Sequence, residues 1–459
     1  MFKAGFYETE VTPPLGTFMP GSSKERYAEN VKDKVYAKAV VIDNGAETVA
    51  AVVLDSVSLS PNAHDIVVKR VGEYTGIKAE NIIVTANHTH EGAPMNVAPS
   101  ARTSLDLAYV DIVERLMADA ITLAYRNMQN VRIKYGCGEA YGISFNRNFV
   151  MRNGIMSTNS GRNISEVTEE NIPPEIPVVK ITDAHKNFEG TIINPNCVGN
   201  LAGIDPQVPV LSFENEQGEV IGAIINFACH QTCLSKLELS GDYSSALSKE
   251  LKKIYGPDFV SFFIVGTCGD INHINPTIPQ MPDDTYIKMG KVLAKEAKQA
   301  IEEGEEVQGE QLFSIKELVT LKTREIDEEF LKLQAKYYSE GTDTFGNLQR
   351  LVDYYKNNKR KTIDVYVQCI RIGDAYLYAL PGEVYVNFGL KIKEDSPSEK
   401  NLITELSNGN VGYIPTKEAF LPQSRLYGGA RPTMKSCMEK DAGYIITDKA
   451  LEIAKKLAD

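Results

Sequence analysis

Short apolar runs of β type alternate with helix-period segments along this chain, and that alternation restricts the possible fold more than any other feature of the sequence. AKAVVID and TVAAVVLDSV are followed by a helical pattern near residues 64–73, then by NIIVTAN and a long amphipathic pattern over 107–126. Strand-like EVIGAIINFA and FVSFFIVG come later, with helical patterns near 243–255, 284–303 and 328–338. TIDVYVQCIRIG and AYLYAL follow, then a helix after Pro381 and a last one near 447–457. This order predicts an α/β fold with a mixed β-sheet core and crossover helices. No repeat of solenoid period and no low-complexity linker divides the 459 residues, so 1–459 reads as a single domain. Residues 146–174 are rich in Asn, Ser, Thr, Glu and Arg with little periodicity, which predicts a long ordered loop.

The formal net charge of −12 repels polyanions, and no basic patch offsets it, so nucleic acid is excluded as a partner. The opening MFKAGFYETEVTPP runs directly into a strand pattern, without the charged-then-apolar order of a secretory signal, and no apolar stretch is long enough to span a bilayer. A cytoplasmic protein without stable membrane association is expected. Seven cysteines, an odd number scattered along the chain, read as thiols rather than a disulfide framework.

Metal-competent side chains fall directly after several strand-like runs, at the carboxyl ends where α/β proteins gather their sites. NIIVTAN is followed by His88-Thr89-His90, GAIINFAC by His230 and AYLYALPG by Glu383, while Tyr413 follows a Gly/Asn-rich turn. Two imidazoles and a carboxylate are donors that zinc prefers, and a catalytic zinc keeps one position open for water or substrate. In an extended segment His90 does not easily join His88 as a ligand; at a loop end it reaches the same pocket, where acid/base work suits it. Each residue alone is as readily structural, and only the combination points to a metal. Cys229 and Cys233 flank His230 without the second Cys/His pair of a thiolate site, and read as packing residues. Asp242 and Asp270 are candidate acceptors behind metal-bound histidines or, equally, caps of helices and turns. Asp55 reads as structural, and His64 and His185 receive no function.

The segments AGFYETEVTPPLGTFMPG, NHTHEGAP, FNRN around Arg147, FACHQT, SGDYSSALSKEL, GTCGDIN, LPGEVY, and GYIPTKEAF followed by RLYGG run in order over nearly the whole chain. In order and spacing they resemble the amino-terminal catalytic domain of the neutral/alkaline (non-lysosomal) ceramidases. The resemblance implies that domain's fold and a zinc ion held by His88, His230, Glu383 and Tyr413. It also implies that His90, Arg147 and Tyr427 face a scissile amide, with additional residues in this chain before Tyr427. Ceramidases carry a GDVSPN-like motif whose serine lies in the active site. Here the chain reads Gly269-Asp270-Ile271-Asn272-His273, with Asn272 at the serine position. The secretion signal and carboxyl-terminal β-sandwich of lipid-acting ceramidases have no counterpart, so the likeness is to a short, bacterial-type member consisting of the catalytic domain.

These departures shift the expected substrate from a lipid to a soluble small molecule. Asn146, Asn272 and His273 are candidate substrate contacts, His273 being as readily a structural histidine. Asn146, Arg147, Asn148, Arg152, Asn153 and Asn159 precede or line the loop and suit hydroxyl-rich or acidic compounds; a solvated surface loop is the plain alternative. The leading expectation is a zinc-dependent hydrolase of an amide-type bond. Zinc-activated water would act as nucleophile, Arg147 and Tyr427 would stabilise the oxyanion, and His90 would shuttle the proton. A zinc-dependent lyase or epimerase acting on a sugar or uronate is the enzymatic alternative. A non-catalytic, zinc-stabilised binding protein is the third.

Overall fold

A computed structural model describes residues 1–22, 25–95, 104–162, 166–234, 236–324, 361–427 and 438–459, the side chains of 104–106 excepted. In chain order its main elements are β1 (Phe2–Glu10), β2 (Tyr36–Asp43), β3 (Thr48–Leu54), α1 (Ala63–Thr75), β4 (Ile82–Ala86), α2 (Ser104–Arg126), β5 (Gln129–Glu139) and β6 (Phe145–Asn146). There follow β7 (Gln207–Asn215), β8 (Val220–Phe227), α3 (Asp242–Tyr255), β9 (Val260–Val265), β10 (Ile271–Asn272) and α4 (Thr285–Glu303). The last part supplies β11 (Leu312–Lys322), β12 (Thr362–Ile372), β13 (Ala375–Ala379), β14 (Glu383–Val384), α5 (Val386–Asp395), β15 (Asn401–Thr404), β16 (Tyr413–Ile414) and α6 (Ala442–Ala458).

The α/β reading holds, and the helices fall close to where periodicity puts them. The pattern at 328–338 lies outside the described residues. The segment expected to be a loop differs: Asn148–Met151 and Met156–Thr158 pair antiparallel within it. The reason is local, because Asn153-Gly154 forms the turn, with Gly154 at φ +77, and Asn-Gly between β-type residues is a strong hairpin signal.

Nine strands form one sheet in the order β9-β8-β7-β5-β1-β2-β3-β4, with Glu305–Glu306 added alongside β5. Side chains alternate between two cores along each strand, so Ala39 and Val41 of β2 enter one and Val40 and Ile42 the other. Burial on both faces explains why these strands read as continuous apolar runs. The first core seats α1 to α4 through Val67, Ile121, Leu247 and Leu293. The second lies against a four-stranded sheet, β11-β12-β13-β15, through Ile370, Leu377 and Leu402. On that sheet's far face α5 and α6 close a third core with Ile392, Ile446 and Leu451.

The nine-stranded sheet curls sharply. Gly222 of β8 lies under the Phe6 ring of β1, although β7 and β5 stand between them in the strand order. Lys38 of β2 reaches the Ser261 carbonyl of β9 at 3.2 Å. The curl brings the carboxyl ends of β4 and β8 together from opposite halves of the sheet, and Thr89 and Gln231 form a parallel bridge just beyond them. Each of these strands belongs to a parallel pair connected through a helix, β3–α1–β4 and β8–α3–β9, as parallel pairing requires. No helix among the described residues is long and apolar enough to cross a membrane.

Gly222 has no room for a side chain, since an added Cβ would lie 2.9 Å from the Phe6 ring. Gly222→Val is therefore expected to destabilise the chain by about 1–3 kcal/mol through overpacking, read as a lower urea midpoint at unchanged m-value.

Candidate metal centre

His88 stands two residues beyond β4 in the left-handed region, at φ +72. That conformation is uncommon for a residue with a Cβ, and it is held by the His88 amide donating to the Ser56 carbonyl at 2.9 Å. It turns the chain out of an extended course, so the loop-end alternative holds. His90 consequently reaches the same cluster, its amide donating to the Gln231 carbonyl at 3.0 Å. One ligand atom from each of His88, His90 and His230 lies within 4.8 Å of the others. His230 itself follows β8 and is tied through its amide to Ile271 of β10 at 3.2 Å.

Both His88 and His230 are oriented by main-chain carbonyls. Nδ1 of His88 lies 2.8 Å from the Val57 oxygen and Nδ1 of His230 lies 2.7 Å from the Cys268 oxygen. A carbonyl only accepts, so each Nδ1 carries the hydrogen and each Nε2 presents a lone pair. The two Nε2 atoms each lie 3.6 Å from Glu383 Oε2. The Tyr413 hydroxyl is 3.4 Å from His230 Nε2. Glu383 and Tyr413 stand opposite each other where β14 pairs parallel with β16. The turn before Glu383 needs glycine: Gly382 has φ +80, and an added Cβ would lie 2.6 Å from the Gly412 carbonyl.

Separations of 3.4 to 3.6 Å are long for hydrogen bonds but suit a common ion. Ligand bonds of about 2.0–2.1 Å in a tetrahedron place neighbouring donors roughly 3.3–3.4 Å apart. Burial pushes the imidazoles of His90 and His230 well below their ordinary pKa, helped at His90 by His88 and at His230 by Arg147. They are therefore in the neutral form that ligates metals. His90 Nε2 is buried with no hydrogen-bond partner among the described residues. Burial, then the neighbouring Glu383 carboxylate, drives the Tyr413 hydroxyl well above its usual pKa. The donor set fits a zinc ion.

Arg147 lies between β6 and the Asn148–Met151 strand and points its guanidinium at the cluster. One Nη2 donates to the Gly269 carbonyl at 2.7 Å and to the Tyr413 hydroxyl at 3.2 Å, and lies 3.3 Å from His230 Nε2. Burial works against its charge, yet Tyr413 and Tyr427 alongside hold its pKa above the ordinary value. Tyr427 stacks on Tyr413 with ring centres 5.4 Å apart, and its ring centre lies 5.1 Å from the guanidinium carbon. His88, His90, His230, Glu383, Tyr413, Arg147 and Tyr427 thus lie in one cluster.

The polar candidates are placed differently. Asn146 is fully buried, donating to Asp270 at 2.9 Å and to the Gly203 carbonyl at 3.1 Å, and accepting from the Asn148 amide. Asn272 pairs with Phe145 across the β6–β10 bridge and donates to Asn159 at 2.9 Å. His273 lines a separate cavity of about 370 Å³ with Arg162, Thr232 and Lys236, and no cluster side chain is among the described residues lining it.

The carboxylates near the histidines turn out to hold backbone. Asp270 accepts from the Val386 amide at 2.8 Å, and Asp242 from the Cys233 amide at 2.7 Å. Asp55 accepts from the Tyr36 amide and from Asn87. Sequence reasoning missed Glu405, which is fully buried and accepts from the amides of both Cys268 and Val384. A signal was present: Glu405 directly follows the strand-like NLIT, the same position relative to a strand that drew attention to the other candidates.

No protein-family model matches the chain. A neutral ceramidase of Pseudomonas aeruginosa is 26% identical over 227 residues, covering 47% of this chain and 27% of that protein. The match thus spans about a quarter of the curated relative's length. The crystal structure of neutral ceramidase from Pseudomonas aeruginosa superposes with a TM-score of 0.71 at 19% identity, over 99% of this chain and 74% of that one. The two share a fold. A ceramidase complexed with C2 gives a TM-score of 0.70, also at 19% identity, over 100% of this chain and 75% of the other. The likeness to neutral ceramidase extends from the nine-stranded sheet to the second sheet and its two helices.

Two buried histidines outside the cluster give the fold a pH signature. Burial lowers His185 and His273 from 6.5 to about 4. The unfolded chain therefore takes up protons that the folded one refuses, so these groups cost nothing above pH 6.5 and destabilise the fold as pH falls towards 4. Asp55, Asp242 and Asp270, raised by burial to about 6, act in the opposite direction, so the variant has to be compared with its parent. His185 packs between Phe145 and Phe188. His185→Phe is expected to recover about 2 kcal/mol of the stability change between pH 7 and pH 4.5, measured by urea unfolding at both values.

Proposed function

We propose that this chain is a zinc-dependent hydrolase of the neutral ceramidase-like family that cleaves an amide-type bond in a soluble small molecule. The observation that carries the reading is the pair of 3.6 Å separations from Glu383 Oε2 to the Nε2 atoms of His88 and His230, with both imidazoles turned by main-chain acceptors. The shared fold and the relative's printed name, neutral ceramidase, support the reaction class. We read the whole chain as one catalytic unit.

His88, His230, Glu383 and Tyr413 would hold the ion. A bound zinc would supply Lewis acidity, lowering the pKa of water towards about 7 and polarising an acyl oxygen. Arg147 and Tyr427 border the place where negative charge would develop on the acyl oxygen, and fixed donors at a buried site count for more than in water; Arg147 is buried. His90, neutral and with its Nε2 buried without a hydrogen-bond partner among the described residues, takes the proton of the attacking water and returns it to the nitrogen of the breaking carbon–nitrogen bond. Asn146 acts behind Arg147 and Asn272 is the candidate contact for the polar part of the substrate, whereas His273, which lines the separate cavity, is given no contact with it. Asn272 in place of a serine supports a substrate other than a lipid.

His88→Ala is expected to lose both bound zinc and turnover, whereas His90→Ala keeps zinc and loses about 10²–10⁴-fold in turnover. Metal analysis by mass spectrometry together with an N-acyl amide panel reads both. Full activity in either variant refutes the assigned roles, and turnover of uronates in place of acyl amides would move the protein to lyase or epimerase chemistry.

A further inference from the structure

Glu405 sits just past β15, where two parts of the cluster approach each other. Its side chain is completely buried. A single oxygen, Oε2, accepts from the Val384 amide at 2.7 Å and from the Cys268 amide at 3.1 Å. The other oxygen accepts from the Cys268 thiol at 3.1 Å. Glu405 is itself anchored, its amide donating to the Val265 carbonyl at the end of β9 at 3.1 Å.

The two amides it joins belong to opposite sides of the candidate metal centre. Val384 follows Glu383 in β14. Cys268 supplies the carbonyl that fixes the His230 ring at 2.7 Å. The same short turn continues through Gly269, whose carbonyl receives Arg147 and whose amide donates to the Val384 carbonyl at 2.9 Å. No other carboxylate among the described residues spans these two segments with one oxygen. One oxygen accepting from both amides sets the spacing between the His230 support and the Glu383 strand.

We infer that Glu405 is a positioning residue that fixes His230 and Glu383 at the separation a shared ion needs. The inference rests on the metal-centre reading given above. Outer groups that orient ligands typically contribute 10–100-fold to metal affinity. A shorter carboxylate cannot reach both amides, whereas a carboxamide of the same length still offers one oxygen to the pair.

Zinc affinity is measured by competition with a chromophoric chelator for the full-length wild type, Glu405→Asp and Glu405→Gln, and the cobalt-substituted proteins are compared by their visible spectra. Glu405→Asp is expected to bind zinc 10–100-fold more weakly, with an altered cobalt spectrum. Glu405→Gln should stay within about threefold and keep the wild-type spectrum. In the metal-free wild type the Cys268 and Val384 amides should exchange hydrogen slowly and at matching rates, a measurement that needs no variant to fold. Unchanged affinity and spectrum in a folded Glu405→Asp, or fast exchange at either amide, overturns the role of Glu405 alone. Failure of the wild type to take up zinc or cobalt overturns the metal-centre reading together with it.

Discussion

The parallel bridge between Thr89 and Gln231 is the contact on which the remaining architecture depends, because β4 and β8 lie in opposite halves of a nine-stranded sheet. A flat sheet would keep their carboxyl ends tens of ångströms apart at about 4.8 Å per strand. Curling removes that distance. The curl is built from close approaches that tolerate no bulk, such as Gly222 under the Phe6 ring, and from long reaches such as Lys38 to Ser261. Burial of both faces, by helices on one side and a second sheet on the other, holds the curved shape against water.

Within that frame the cluster is held mainly by backbone. Val57 and Cys268 carbonyls orient the two imidazoles, and the β14–β16 pairing sets Glu383 against Tyr413. The buried carboxylates of Asp55, Asp242, Asp270 and Glu405 each fasten main-chain amides rather than histidines. Burial raises the Glu405 carboxyl well above its ordinary pKa while these donors pull the other way. Precise placement of a few functional side chains thus comes from an outer layer of satisfied polar groups.

Much of this was legible from residue pattern. Continuous apolar runs of β type marked the strands, and the residues directly after them included His88, His230 and Glu383. What could not be read was geometry that depends on contacts distant in sequence. The left-handed turn at His88 accompanies a hydrogen bond to Ser56, and it decides between the extended and loop-end alternatives for that segment in favour of the second, which brings His90 to the cluster. The hairpin at 148–158 was visible as Asn153-Gly154, but the polar composition around it concealed the strands. Glu405 followed a strand as plainly as Glu383 did, yet nothing in its sequence surroundings reveals that its oxygen joins Cys268 to Val384.

The span of the contacts within the cluster bears on how the chain acquires it. Gln231 meets Asn87 across 144 residues, His230 meets Tyr413 across 183 and Arg147 meets Tyr413 across 266. Closing such long loops is slow, and it rewards the chain only after the sheets and helices around them are in place. No fragment carrying one or two of the donors has the others at hand. Small zinc domains use the ion to nucleate folding; any cation held by this cluster would instead meet a scaffold already built from contacts distant in sequence.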